Sequence, residues 1–220
     1  MTLVVSGFAL VYPDSWLTYL SGSSEWARRL VHRVAAVVMI AVGVYHVAYL
    51  ALTREGREWV RDMWPRWKDA KDFVQNFRHY LTGRSQRPKI ARFGYAEKAE
   101  YWAVVWGTIL MGLTGLMVWF KVGWFGFLPR WAIDIAIAVH FYEAVLATLA
   151  IVVWHFYHVI FDPDVYPVNW AFVDGRVSEE FYKEEHALDY EQQFAESDAG
   201  EAEAETETES AAEAKKADAD

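Results

Sequence analysis

The chain has 220 residues, 54% of them hydrophobic and none of them cysteine, with a net charge of −9. Without cysteine it can hold no thioether-attached haem, no iron–sulfur cluster on thiolates and no disulfide. It has no phosphate-binding glycine loop, dinucleotide fingerprint or HExxH motif, so soluble enzyme chemistry has no visible home and no nucleic-acid partner is expected.

Residues 1–20 offer about ten apolar residues before Tyr12-Pro13, whereas crossing a bilayer takes about 20. The segment reads as a partial first span, either a half-helix packed on the rest or part of a span whose start lies upstream. It has neither the basic n-region nor the cleavage site of a signal peptide. Ser21 to Trp26 make a short turn, so this segment and the next should be antiparallel neighbours. Residues 27–52, ARRLVHRVAAVVMIAVGVYHVAYLAL, form a full span with His32 near its start and His46 near its end.

The connecting loop, residues 53–98, is dense in Arg and Lys from Arg54 to Arg92, which marks it as cytoplasmic. Within it, Phe73, Val74, Phe77 and Leu81 recur at helical spacing. They predict either an amphipathic helix on the membrane surface or a solvated linker exposing His79. Residues 99–120, AEYWAVVWGTILMGLTGLMVWF, span again, with Gly107, Gly112 and Gly115 suited to close packing. The turn KVGWFGFLPR leads to the last span, residues 131–161, which carries His140, His155 and His158. Trp16, Trp26, Trp102, Trp119, Trp124 and Trp131 stand at span ends, as interfacial aromatics do. Residues 163–195 leave the membrane as a cytoplasmic extension in which His186 is expected to be solvated. Low hydrophobicity and like charges predict a disordered acidic tail over 196–220. The expected fold is therefore all-α, a transmembrane helix bundle over residues 1–162 followed by that extension and tail.

Imidazole in hydrocarbon is costly unless it is hydrogen-bonded, paired or bound to a metal, so the intramembrane histidines are the functional candidates. At 1.5 Å and 100° per residue, His32 and His46 lie about 21 Å apart along their helix and about 40° apart around it. His140 and His155 lie about 22 Å and 60° apart, while His140 and His158 are eclipsed at about 27 Å. Equal depth favours His155 as the partner of His46; equal angle favours His158. On the same faces, Ala36, Met39 and Gly43, and Ala144, Ala147 and Ile151, leave room for a flat ligand. Two haems, one between His32 and His140 and one between His46 and His155, use all four ligands. Lacking cysteine, both would be non-covalent haem b. The orientation of the basic loop puts the first pair on the outer side and the second on the inner side of a bacterial-type cytoplasmic membrane, with the tail in the cytoplasm. Arg28, Arg29, Arg33 and Arg130 either meet the propionates of the outer haem or simply flank the membrane. Glu143 either hydrogen-bonds a ligand imidazole or pairs with Arg33.

Taken together, VSGFALVYPDSW, HRVAAVV, RFGYAEKAEYW with MGLTGLMVWF, and HFYEAVLATLAIVVWHFY resemble the four-helix dihaem cytochrome b family. These are the membrane subunits of formate dehydrogenases and nickel–iron hydrogenases. The resemblance implies a b-type cytochrome subunit of a heteromeric complex. Such a subunit carries electrons between a quinone or quinol pool and a peripheral redox subunit, here of the dehydrogenase or multihaem cytochrome c type. In that family the first helix usually gives the inner haem a histidine; this chain has none there, so His46, or a histidine upstream, takes the role. The resemblance also implies a quinone site where the basic loop enters the third span, at Gly94, Tyr95, Glu97 and Lys98. Glu97 is the candidate proton acceptor or donor, although an acid in a first helical turn also suits the dipole alone. The contrasting expectation is a haem-free anchor or assembly subunit of a respiratory complex whose histidines only hydrogen-bond.

Overall fold

The computed structural model describes residues 1–83, 88–161, 165–168, 170–192 and 194. The acidic tail expected to be disordered, 196–220, lies outside the described residues, as do Arg84 and Arg87 of the basic loop. The helices in chain order are α1 (Thr2–Val11), α2 (Leu17–Ser21), α3 (Glu25–Leu52), α4 (Arg54–Met63), α5 (Trp67–Thr82), α6 (Tyr95–Trp119), α7 (Arg130–Leu149), α8 (Ala171–Asp174) and α9 (Glu179–Glu185). Beyond α7 the same rod continues in π-helical winding over Ala150–His155 and Tyr157–Phe161. Among the described residues there is no strand. Three rods are long and apolar enough to cross a membrane, Glu25–Leu52, Tyr95–Trp119 and Arg130–Phe161, and α1 is a shorter apolar helix. These match the spans expected from hydropathy, including the partial first one.

The chain divides into two compact units, Met1–Arg61 with Glu100–Asn169, and Asp62–Ala99 with Trp170–Asp220. In the first, α3 starts where the Ser24 hydroxyl accepts the Ala27 N–H at 3.1 Å, with Glu25 in the first turn to complement the dipole. The helix then runs 28 residues without a break. In lipid the backbone must satisfy its own hydrogen bonds, so apolar side chains such as Val37, Val38 and Val42 face outward at no cost. Contacts fix the directions of the rods. Arg33 meets Trp119 and His46 meets Tyr101, so α3 and α6 are antiparallel. Thr114 meets His140, and Glu100 meets His155, so α6 and the α7 rod are antiparallel too. Hence α3 and α7 run in the same direction, and α1 joins α7 through Phe8 and Phe141, whose rings are 6.3 Å apart.

The π winding matters for the site. A π turn bonds i to i+5, so each residue advances around the axis by less than the α value of about 100°. His155, expected about 60° past the His140 face on α geometry, is drawn back toward it. The angular preference for His158 assumed α winding throughout and loses its basis.

In the second unit, the stretch with Phe73 and Phe77 forms the helix α5, none of whose residues is buried. Asp69 accepts the Arg66 N–H at 2.6 Å at the start of α5, and Gly83, with φ of 62°, ends it in the left-handed region. The Lys98 ammonium donates to both Asp69 oxygens at 2.9 and 3.1 Å, with side chains only 7% and 18% exposed. The C-terminal extension docks on residues 89–91: Leu188 N–H donates to Ile90 O at 3.0 Å, and Lys89 pairs with Glu191. His186, expected to be solvated, is instead half-buried with Nδ1 at 3.0 Å from Ala91 O. Nearby, Tyr190 donates to the Glu179 carboxylate at 2.6 Å, and that hydrogen bond to the protonated form raises the pKa of the phenol.

Candidate functional site

α3 and α7 bring His32 and His140 together edge-on, ring centres 6.3 Å apart and planes crossed at 76°. An imidazole nitrogen bonds a metal at about 2 Å, so two imidazoles sharing one metal atom in line have ring centres about 6 Å apart. The two rings stand at that span.

Each ring is held from behind by a hydroxyl. Ser6 Oγ lies 3.0 Å from His32 Nδ1 and donates its own proton to Thr2 O at 2.7 Å. Thr114 Oγ1 lies 2.9 Å from His140 Nδ1 and donates to Leu110 O at 2.7 Å. With both hydroxyl protons committed to backbone carbonyls, the hydroxyls accept and the two Nδ1–H groups donate. Both Nε2 atoms then carry the lone pair that a metal needs.

The surroundings also fit a planar metal complex. Among the described residues no three His, Asp or Glu side chains converge as a chelate. A pair of imidazoles alone suits a metal that brings its own equatorial ligands, as iron does in haem. Gly43 and Gly112 face open space, with nothing within 4 Å of where a Cβ would stand. Of the arginines expected near propionates, Arg29 pairs with Glu25, and Arg33 lies over Trp119 at 5.0 Å. Arg28, one turn before His32, donates from Nη1 to Gly22 O and Ser23 O, while its Nε is buried without a partner. Glu143 rests against Gly107, and among the described residues no hydrogen bond or ion pair joins it to His140 or Arg33.

At the far end of α3 the arrangement differs. His155 Nδ1 lies 2.7 Å from Glu100 Oε1, and His46 Nε2 lies 3.1 Å from the Tyr101 hydroxyl. Glu100 and Tyr101 are consecutive in α6, so His155 and His46 are both tied to its opening turns. Trp59 packs edge-on against both His46 and Tyr101, at 6.2 and 4.7 Å. Among the described residues no ring contact joins His46 to His155, and the Nε2 of His46 faces a phenol. His158 sits between Trp154 and Tyr157, at 5.0 and 5.2 Å.

The residues expected to meet quinone all hold the start of α6. Gly94 N–H donates to Glu97 Oε2 at 2.6 Å, which caps the helix. The Tyr95 hydroxyl accepts from Asn76 at 2.8 Å, and Lys98 is paired with Asp69. Sequence reasoning missed Ser6, Thr114, Glu100 and Tyr101, the four side chains that steer the histidines. A small signal existed, since Ser6-Gly7 precedes His32 at the same distance as Thr114-Gly115 precedes His140.

Among curated proteins none matches the chain. The model of the prokaryotic cytochrome b561 family matches residues 1–170, a stretch that includes every intramembrane histidine described above. The chain therefore belongs to the prokaryotic cytochrome b561 family.

Proposed function

We propose that this membrane b-type cytochrome carries electrons through two haems, each between two histidines, linking a quinone or quinol pool to a peripheral redox subunit in a heteromeric complex. Its family binds haem b and works in electron transfer within the membrane. Haem iron supplies a one-electron couple whose potential follows its axial ligands and their hydrogen bonds. The observation that carries the reading is the His32–His140 pair, spaced for one metal with both Nε2 atoms left available.

For the second haem, support comes from His46 and His155 meeting consecutive residues of α6, and from the π winding, which turns His155 back toward the His140 face. His46 would turn its Nε2 away from Tyr101 to take part. Arg28 and Arg33, within one turn of His32, supply positive charge that suits propionates beside the first pair. Gly94, Tyr95, Glu97 and Lys98 remain the proposed quinone-facing residues, with the Glu97 carboxylate able to hold a proton once it releases the Gly94 N–H. The positive charge of residues 53–98 supports a cytoplasmic position for that end.

The test is the visible spectrum and haem content of the purified full-length chain. The expected result is a reduced α band with two haems per chain, one of which is lost in His140→Ala. A colourless preparation overturns the proposal and leaves the haem-free anchor.

A further inference from the structure

The histidine pair is built from two equivalent halves. Ser6 and Thr114, Gly7 and Gly115, and His32 and His140 are each 108 positions apart (114 − 6, 115 − 7 and 140 − 32). In each half a serine or threonine, buried at 0% and 7% exposure, bonds a carbonyl one turn back and faces a histidine Nδ1. In each half the next residue is glycine, and a Cβ there would stand 3.3 or 3.2 Å from the Cε1 of that histidine. A side chain larger than hydrogen would make the ring give way by a few tenths of an ångström. The two glycines thus have a stated reason, and so does each hydroxyl: it fixes both the tautomer and the rotation of one imidazole about its side-chain bonds.

We propose that Ser6 and Thr114 are matched positioning residues for the haem of the proposed function, locking its two axial imidazoles in crossed planes, 76° apart. The inference rests on that reading, but it fails separately. Crossed imidazole planes donate to the two π-symmetry d orbitals of ferric iron almost equally, which leaves those orbitals close in energy. Such iron gives a strongly anisotropic low-spin EPR signal, whereas parallel planes split the orbitals and give a rhombic one. Two hydroxyl acceptors of the same kind also give the two ligands equal donor strength, so neither side of the ring plane is favoured.

The experiment compares Ser6→Ala, Thr114→Val and Thr114→Ser with the unaltered full-length protein, by low-temperature EPR, redox titration and haem content. Thr114→Val keeps the side-chain shape and removes the hydroxyl; Thr114→Ser keeps the hydroxyl and removes the methyl. The expected result is that Ser6→Ala and Thr114→Val each shift one haem toward a rhombic signal and a higher midpoint potential. Thr114→Ser should keep the anisotropic signal. If Thr114→Val loses that haem outright while Thr114→Ser holds it, the hydroxyl is again the cause. The inference is overturned if the hydroxyl-free variants match the parent in signal and potential. It is equally overturned if Thr114→Ser fails as Thr114→Val does, because the methyl group then does the positioning. An unaltered protein without haem sinks the proposed function instead.

Discussion

The two ends of the histidine-bearing rods solve one problem with different chemistry. His32 and His140 are steered by neutral, buried hydroxyls. His155 is steered by a carboxylate and His46 by a phenol, at a rim where the side chains of His155 and Glu100 are 47% and 35% exposed. A hydroxyl accepts the Nδ1 proton without adding charge, whereas a carboxylate acceptor makes a charge-assisted bond roughly twice as strong. The stronger acceptor makes the imidazole a richer donor and favours the more positive metal. Two haems with the same ligand type would therefore differ in potential, with the lower one at the Glu100 end.

Removing ligands tests whether the two levels are separate at all. His140→Ala and His155→Ala are each expected to remove one haem, of different potential, as read by redox-poised difference spectra. Loss of both haems in either variant would break the comparison. Glu100→Gln comes next in size. It is expected to raise the midpoint potential of a single haem by the loss of about 1–2 kcal/mol of oxidised-state stabilisation, and an equal shift of both haems would contradict the assignment. A smaller effect is expected within α6. Gly115→Ala presses on His140 and should cost about 1 kcal/mol, as read by thermal unfolding followed at the haem band. The smallest is Tyr101→Phe, because the bond it removes, worth about 1 kcal/mol or less, belongs to the site before His46 turns to hold a haem. It should leave the haem count unchanged and shift the His46 level less than Glu100→Gln does.

The helices were legible because lipid forces long apolar runs, and the three spans needed nothing but hydropathy. His32 and His140 were legible as a pair because a charged-capable ring in hydrocarbon stands out and the spacing within each span was matched. Ser6 and Thr114 were not. A lone hydroxyl in an apolar helix bonds its own backbone in most cases, and only its repetition beside glycine at equal distance from a histidine distinguishes it. The π winding after Leu149 has no proline or other local mark, so a constant 100° per residue does not describe the turn on which His155 and His158 sit. Glu97 reads from sequence as either a proton carrier or a favourable first-turn acid, and its bond to the Gly94 N–H is compatible with both. The docking of His186 on Ala91 joins residues far apart in sequence through a backbone carbonyl, which carries no side-chain signature.

The two halves of the His32–His140 site belong to separate hairpins. One runs from α1 to α3 and supplies Ser6, Gly7 and His32; the other runs from α6 to α7 and supplies Thr114, Gly115 and His140. A ligand gripped by both acts as a clasp, adding its binding free energy only when the hairpins are fastened together. Assembly of the bundle and loading of the pigment are on this account a single event, and cells starved of iron porphyrin should accumulate an easily digested, half-joined chain.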